Sequence, residues 1–551
     1  MNSIARPILI LLAWLAAVPF AAAQAAPFRY DLLSLLPDDF AVCVVMHDLK
    51  GNAARWEKSD WLKTFRAAPL GKTLLEGPEM QQLQRVQADL KKHLDLDWPT
   101  LRDDLLGDTL IFTYSPGPKN QPDDERGLFL LHSRKADRLR QFIDRLNEAQ
   151  KSSGELKDLA DLQYRGNTYH RRKQGNKTQF YFVKDSLAAF TVKEELLHAF
   201  LDRRAAPAKE SPWVKRFKKA GAEQAFLTMC VNPRALDAEL LPSRKKDDPF
   251  PSYWQALDAI FVTVAIQDEA EVRLSIQANT EQLPKWARPT FTQTWPTSSL
   301  WDRFPEESIV TVAAQTDFAG LGEALTLLKP ENDWPGDIGR ALHLDFFKDL
   351  LPNIGQDWGI CVLPSRDAKQ VPQTIFALAV KPGSKEKPVD QALVKALDFY
   401  ASIAVAKHNE SNPSTPMRLE RVMQGKVEVK FLKGEKAFPP GVSPAFALKD
   451  GFLLLASAPE AIATFRPRDK KASERKETPL VRVSAPELAR LLEHRREHIL
   501  STLPQKDAEQ HLANVIALLG MFDRLTLTHR AEAGQATWTL RLSPAEKRLP
   551  H

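Results

Sequence analysis

Short apolar runs bounded by Gly, Pro and Asp recur along this 551-residue chain, and stretches with apolar residues at helical spacing lie between them. Such runs read as strands: Phe40 to Met46, Asp258 to Val264, Ile309 to Ala314 and Asp523 to Thr528, with others around Leu128 and Phe376. Leu139, Phe142, Ile143 and Leu146 fall on one helical face, as do Leu393, Leu397 and Tyr400. Lys184-Asp185-Ser186 and Lys449-Asp450-Gly451 are expected to be tight turns joining antiparallel strands. The coarse order is strand, helices, two strands, helix, two strands, helices and a terminal strand pair. It predicts an α+β fold with a mainly antiparallel sheet and helices on one face. No βαβ alternation runs long enough for a doubly wound parallel sheet.

The same order occurs twice. Leu36-Pro37-Asp38-Asp39 precedes the first strand, and Phe304-Pro305-Glu306-Glu307 precedes its counterpart. Gly107 and Pro116 bracket one apolar run as Gly355 and Pro364 bracket another of the same length. Phe182-Val183-Lys184-Asp185-Ser186-Leu187 matches Ala447-Leu448-Lys449-Asp450-Gly451-Phe452, and the match runs ungapped through Glu195 and Glu460. The chain therefore reads as two tandem copies of one module, 26–280 and 299–545, with a tail at 546–551. A linker at 281–298 holds Pro284, Pro289 and Pro296, which disfavour regular structure. It also carries Trp286 and Trp295, with Trp301 just beyond. These tryptophans are expected to pack into the seam between modules rather than form a platform for a sugar or peptide.

Residues 1–25 have the pattern of a secretory signal: Arg6, an apolar run from Pro7 to Ala23 broken by Pro19, then Ala23-Gln24-Ala25. Cleavage is expected before Ala26. An uncleaved anchor is the alternative, since the run approaches bilayer length. No later segment sustains the apolar length of a membrane helix, and no cysteine lies near the cleavage site for a lipoprotein anchor. The location that follows is exported, either periplasmic or extracellular.

The chain is 43% hydrophobic and 26% charged, which argues for folded domains. A formal charge of +6 over this length does not predict nucleic-acid binding. The basic clusters Arg171-Arg172-Lys173, Lys215-Arg216-Phe217-Lys218-Lys219 and Arg466 to Lys476 are read as solvated loops or helix faces. Cys43, Cys230 and Cys361 each sit inside a strand-like apolar run and read as core residues, neither a disulfide framework nor a CxxC site.

The sharpest candidate for chemistry is His494-Arg495-Arg496-Glu497-His498, which resembles the H-x-x-E-H of inverted zinc peptidases. Two histidines four apart on one helix face can share a zinc, with the glutamate acting on bound water. Ser484-Ala485-Pro486-Glu487 reads as a capping box opening that helix. Against this, little chain remains for the distant third ligand such peptidases use. Leu488, Leu492, Ile499 and Leu503 also form the buried stripe, leaving His494 and Glu497 on a charged outer face. The expectation is no catalytic, cofactor or metal residues and no cofactor, with His494, His498 and Glu497 as the nameable metal candidates.

His47-Asp48 follows the first strand, where a catalytic dyad could sit. Thr316-Asp317 occupies the matching place in the second copy, and the shared Asp is read as a helix cap. Gly71-Lys72-Thr73 reads as an ordinary turn rather than a phosphate loop, because Arg66 stands where such a loop needs its first Gly.

The opening Leu35-Leu36-Pro37-Asp38-Asp39, the Val-rich strand Ala41 to Val45 and then Asp48-Leu49 resemble a family of exported bacterial proteins of unknown function. The resemblance covers residues 32–49 and, less strongly, 303–318, and it implies no site residues. The functional expectation is a non-enzymatic binding or scaffold protein of the cell envelope, with an unknown envelope protein or surface ligand as partner. A zinc-dependent hydrolase and a carrier of an apolar ligand are the alternatives.

Overall fold

The computed structural model describes residues 26–67, 69–117, 124–206, 210–242, 250–267, 269–318, 340, 345–365, 367, 370–382, 388–467, 476–502 and 508–545. The expected signal segment, the tail at 546–551, Leu503 and much of the basic stretch 466–476 lie outside them. Among the described residues the fold is α+β, and every strand ladder with a stated register is antiparallel. The chain divides into two compact units. Unit 1 runs to Gln293 and is completed by Ala531–Pro544, whereas unit 2 is Thr294–Arg530 with the residues from Ala545. The division falls within 281–298, and the range 299–545 spans parts of both units.

In unit 1, β1 (Val42–His47) leads into helices α1 (Leu49–Lys58), α2 (Asp60–Ala67), α3 (Pro69–Glu76) and α4 (Pro78–Leu94). Then come β2 (Thr109–Ser115), β3 (Arg126–His132) and α5 (Ala136–Ser152). The strands β4 (Leu156–Tyr164), β5 (Asn167–Gln174), β6 (Lys177–Lys184) and β7 (Leu187–Thr191) follow. Helices α6 (Glu194–Ala205) and α7 (Pro212–Lys219) precede β8 (Leu227–Val231), β9 (Leu257–Ile266) and β10 (Ala270–Ala278).

Unit 2 contains β11 (Val310–Gln315), β12 (Ile354–Leu363), β13 (Gln373–Val380) and the long helix α8 (Val389–Ser411). Next are β14 (Met417–Gln424), β15 (Val427–Gly434), β16 (Ala445–Lys449), β17 (Phe452–Ala456) and β18 (Thr478–Ser484). Helices α9 (Ala485–His494), α10 (Arg496–Thr502) and α11 (Ala508–Leu519) then lead to β19 (Phe522–Glu532). The last strand, β20 (Gln535–Pro544), belongs to unit 1 and pairs with β10.

The spatial order in unit 1 is β4-β5-β6-β7-β3-β2-β1-β8-β9-β10-β20. In unit 2 it is β14-β15-β16-β17-β13-β12-β11-β18-β19. Strand for strand, the second order repeats the first nine places of the other. The two expected turns are hairpin turns with left-handed residues, Asp185 in one and Asp450 and Gly451 in the other.

Several expectations change. Helices cover both faces of the sheet, not one. Along β3, Leu128 and Leu130 join Leu197, Phe200, Trp213 and Phe217 of α6 and α7. Phe129 and Leu131, alternating with them, face Leu94, Leu139 and Ile143 of α4 and α5. Fully buried rings such as Phe200, Phe217 and Phe261 each stabilise the fold by roughly 1.5–3 kcal/mol. Secondly, the helix after β3 is followed by four strands rather than two, because β4 and β5 are polar strands, and Arg171-Arg172-Lys173 lies on β5 instead of a loop. Gly71-Lys72-Thr73 lies within α3, not in a turn. On α8, Leu393, Val394 and Leu397 pack inward while Tyr400 is exposed. All three cysteines are buried and unpaired, with Cys43 and Cys230 directly opposed across β1 and β8.

Candidate functional site

β1 delivers His47 and Asp48 to one end of the unit 1 sheet. Asp48 adopts the left-handed conformation (φ 47°, ψ 50°), which turns the chain from β1 into α1. Its Oδ1 caps that helix, accepting from the Gly51 N–H at 3.2 Å, and also accepts from Arg134 Nη2 at 2.6 Å. Arg55 Nη2 stands 3.6 Å from Oδ2, beyond hydrogen-bond distance. The cap expected from sequence is thus formed, and it is held by a guanidinium from the loop after β3.

A second buried acid sits beside it. Asp108 Oδ2 accepts from Arg29 Nη2 at 2.9 Å and pairs with His132 Nδ1 at 2.8 Å, while Oδ1 accepts from Thr109. Burial alone raises the Asp108 carboxyl, but the bonds from His132 and Arg29 and the charge of Arg29 outweigh it and bring it down to about 2. The backbone joins the acids too, since Asp48 N–H donates to Asp108 O at 2.7 Å. Arg29, Asp108, His132 and Arg134 were not singled out by sequence. They come from three separate segments, with His132 and Arg134 two residues apart, and carry no local signature.

His47 is only 6% exposed. Its ring lies edge-on to Phe28 at 5.0 Å, and Nδ1 is buried without a partner. Burial lowers its pKa, opposed by the charges of Asp48 and Asp108, so the ring favours the neutral form. His47 and Asp48 do not form a dyad, because Asp48 is engaged by Gly51 and Arg134. Both line a cavity of about 710 Å³ that also receives Asn52, Arg55, Lys58 and Glu223.

The strand register corrects the expected correspondence with unit 2. Val310 pairs with Val362 as Val42 pairs with Tyr114. Gln315 and Thr316 therefore stand where His47 and Asp48 do, and Thr316 N–H donates to Gln356 O as Asp48 N–H does to Asp108 O. Asp317 is one residue further on. A ladder cannot slip by one without turning every side chain to the other face.

His494 ends α9, Arg495 leaves helical geometry (φ −100°, ψ 9°), and Glu497 and His498 start α10. The three sit on exposed surface on either side of a helix break, so one continuous helix face does not present them. Among the described residues no group of three or more His, Cys, Asp or Glu has metal-holding geometry. Ser484 is the N-cap residue of α9 but its side chain makes no capping bond, and Glu487 pairs with Arg490 instead. Trp286 is exposed and stacks on Tyr253, Trp295 stacks on His529, and Trp301 is buried in the unit 2 core.

The remaining feature is apolar. On the sheet face opposite the α6–α7 core of unit 1, Phe112, Val44, Met229, Val262, Leu274 and Trp538 stand in one row across six strands. Neighbouring rows are covered: Met46, Leu227 and Val264 pack with Leu49 and Ala53 of α1, and Ile260 and Ile276 pack with Trp254 and Phe291. Between them the row stays open from Phe112 to Leu274, with Phe112 44%, Met229 37% and Leu274 38% exposed, while Trp538 at its end packs with Trp254 and Phe291. At about 4.8 Å per strand the open stretch spans roughly 19 Å. In unit 2, Phe376, Ile360, Val312, Val481 and Leu527 make the corresponding row, and Ile360 is 38% exposed. Exposed apolar patches of this extent mark binding surfaces.

No helix among the described residues is long and apolar enough to cross a membrane. No protein-family model and no curated protein matches the chain.

Proposed function

We propose that this is an exported, non-enzymatic binding protein of a bacterial cell envelope, built from two diverged copies of one module. Each copy binds through the open apolar face of its sheet. The observation that carries this reading is the apolar row at matching register positions in both units, Phe112-Val44-Met229 in one and Ile360-Val312-Val481 in the other. The common strand order supports the duplication. The pattern of Arg6, the apolar run to Ala23 and Ala23-Gln24-Ala25 supports export. Among the described residues the polar cluster around Asp48 and Asp108 has no counterpart in unit 2, so it supplies no chemistry shared by the two. The zinc-hydrolase reading has no comparable support.

A carrier of apolar ligands is the second reading, favoured by the absence of any charged side chain in either row. Native mass spectrometry of the freshly purified chain, beside photo-crosslinking from position 229 in envelope extract, separates the two. A captured protein lost in Met229→Glu supports partner binding, and lipid-sized adducts lost in the same variant support the carrier. Neither adducts nor a crosslink would sink binding through this face.

A further inference from the structure

We propose that the cavity at the end of β1 is a binding site for a small zwitterion, of the class of an α-amino acid or dipeptide. This is independent of the apolar faces and of the reading built on them. Apart from Ala26 and Ala225, every lining residue carries a polar or charged side chain, although much of the lining surface is their apolar atoms. It is also bipolar. Arg55 and Lys58 stand three residues apart in the last turn of α1 and form a cationic side. Arg55 is poorly satisfied within the protein, since its Nη2 donates to Asn52 Oδ1 at 2.8 Å and reaches Asp48 Oδ2 only at 3.6 Å.

Acceptors line the same cavity. Glu223 is oriented by Tyr30, whose hydroxyl donates to Oε2 at 2.6 Å. Asp48 Oδ2 is buried without a hydrogen bond, and so is His47 Nδ1. In the neutral ring Nδ1 accepts when the proton sits on Nε2 and donates in the other tautomer, so it can serve either end of a ligand. Buried polar atoms left without partners in a cavity this size are groups that a ligand can satisfy.

The charge balance selects the ligand. A simple anion meets Arg55 and Lys58 but is repelled by Glu223, and a simple cation meets the reverse. A molecule with a carboxylate at one end and an ammonium at the other satisfies both sides with charge-assisted hydrogen bonds. Unit 2 has Gln315 and Thr316 at the positions of His47 and Asp48, and the Thr316 hydroxyl is already occupied by Trp358 Nε1 at 2.8 Å. The site is therefore assigned to unit 1 alone.

Calorimetric titration of the purified chain with dialanine, succinate and 1,4-diaminobutane tests the assignment. One equivalent of dialanine is expected to bind, with no heat from the other two. Arg55→Ala and Glu223→Gln are each expected to weaken dialanine binding by about tenfold or more. Thermal melts of both variants show that the fold persists, and Lys58→Ala, at an exposed position, is a third variant that leaves packing untouched. The assignment is overturned if dialanine does not bind, if succinate or the diamine binds as tightly, or if dialanine binding survives all three substitutions.

Discussion

At the end of its first strand unit 1 carries His47-Asp48, and unit 2 carries Gln315-Thr316 at the same register. Opposite them stand Asp108 and Gln356. The backbone bond is the same in both, 2.7 Å in one and 2.9 Å in the other. Around it unit 1 has built a buried ionic cluster from two acids, Arg29, Arg134 and His132, whereas unit 2 has a neutral hydroxyl accepting from Trp358. The open apolar row, by contrast, is kept in both. One strand order thus tolerates opposite chemistry at its corners, because side chains there answer to neighbours on other segments while the ladder depends only on the backbone.

The sharpest way to break this comparison is to remove the acid. Asp48→Ala takes away the α1 cap and strands Arg134, and a loss of about 3 kcal/mol is expected in denaturant unfolding. Thr316→Ala removes one hydrogen bond and should cost about 1 kcal/mol. Equal losses would mean that the two corners are energetically alike.

The pH dependence comes next. Asp108 has a folded pKa of about 2, below its ordinary value of 3.8. Its contribution is therefore present above pH 4 and is lost as pH falls from about 4 through 2. On the order of 1–2 kcal/mol of stability should disappear in that window, allowing for solvent screening. Asp108→Asn should lose it at every pH and flatten the acid limb; an unchanged limb would show that other carboxylates govern it.

Gly51 sharpens the picture at a smaller scale. A Cβ there would stand 2.1 Å from Asp48 Oδ2, a carboxylate already held by Arg134. Gly51→Ala should destabilise by about 1 kcal/mol in the native background, although alanine ordinarily favours a helix by a similar amount. In an Asp48→Ala background the same substitution should become neutral or stabilising, a coupling that a double-mutant cycle measures.

The smallest effect is expected on the open faces. Met229→Glu and Ile360→Glu should each change stability by no more than about 0.5 kcal/mol, as surface positions do, despite standing in sheet centres. A loss of several kcal/mol would show that these rows are covered in solution.

Much of the strand pattern was legible. β1, β9, β11 and β19 announce themselves as apolar runs, and the turns at Asp185 and Asp450 by residues that tolerate left-handed geometry. β4 and β5 were not legible, because strands such as Asn167–Gln174, with their runs of charged residues, lack the apolar alternation that marks a half-buried strand. The helix-cap role of Asp48 followed from its place after a strand, but its supposed counterpart Asp317 was one residue off. Sequence spacing aligns blocks, while register is decided by which backbone groups pair. Of the candidate site, only His47 and Asp48 could be named in advance.

By itself the sequence determined the α+β class, the sites of the core strands and the burial of its three cysteines, since apolar periodicity and turn residues act locally. Only the tertiary structure decided that helices flank both faces, that Ala531–Pro544 completes unit 1, and that residues 29, 48, 108, 132 and 134 meet. Ion clusters and strand neighbours join segments far apart along the chain, and their energies depend on burial that no local pattern encodes.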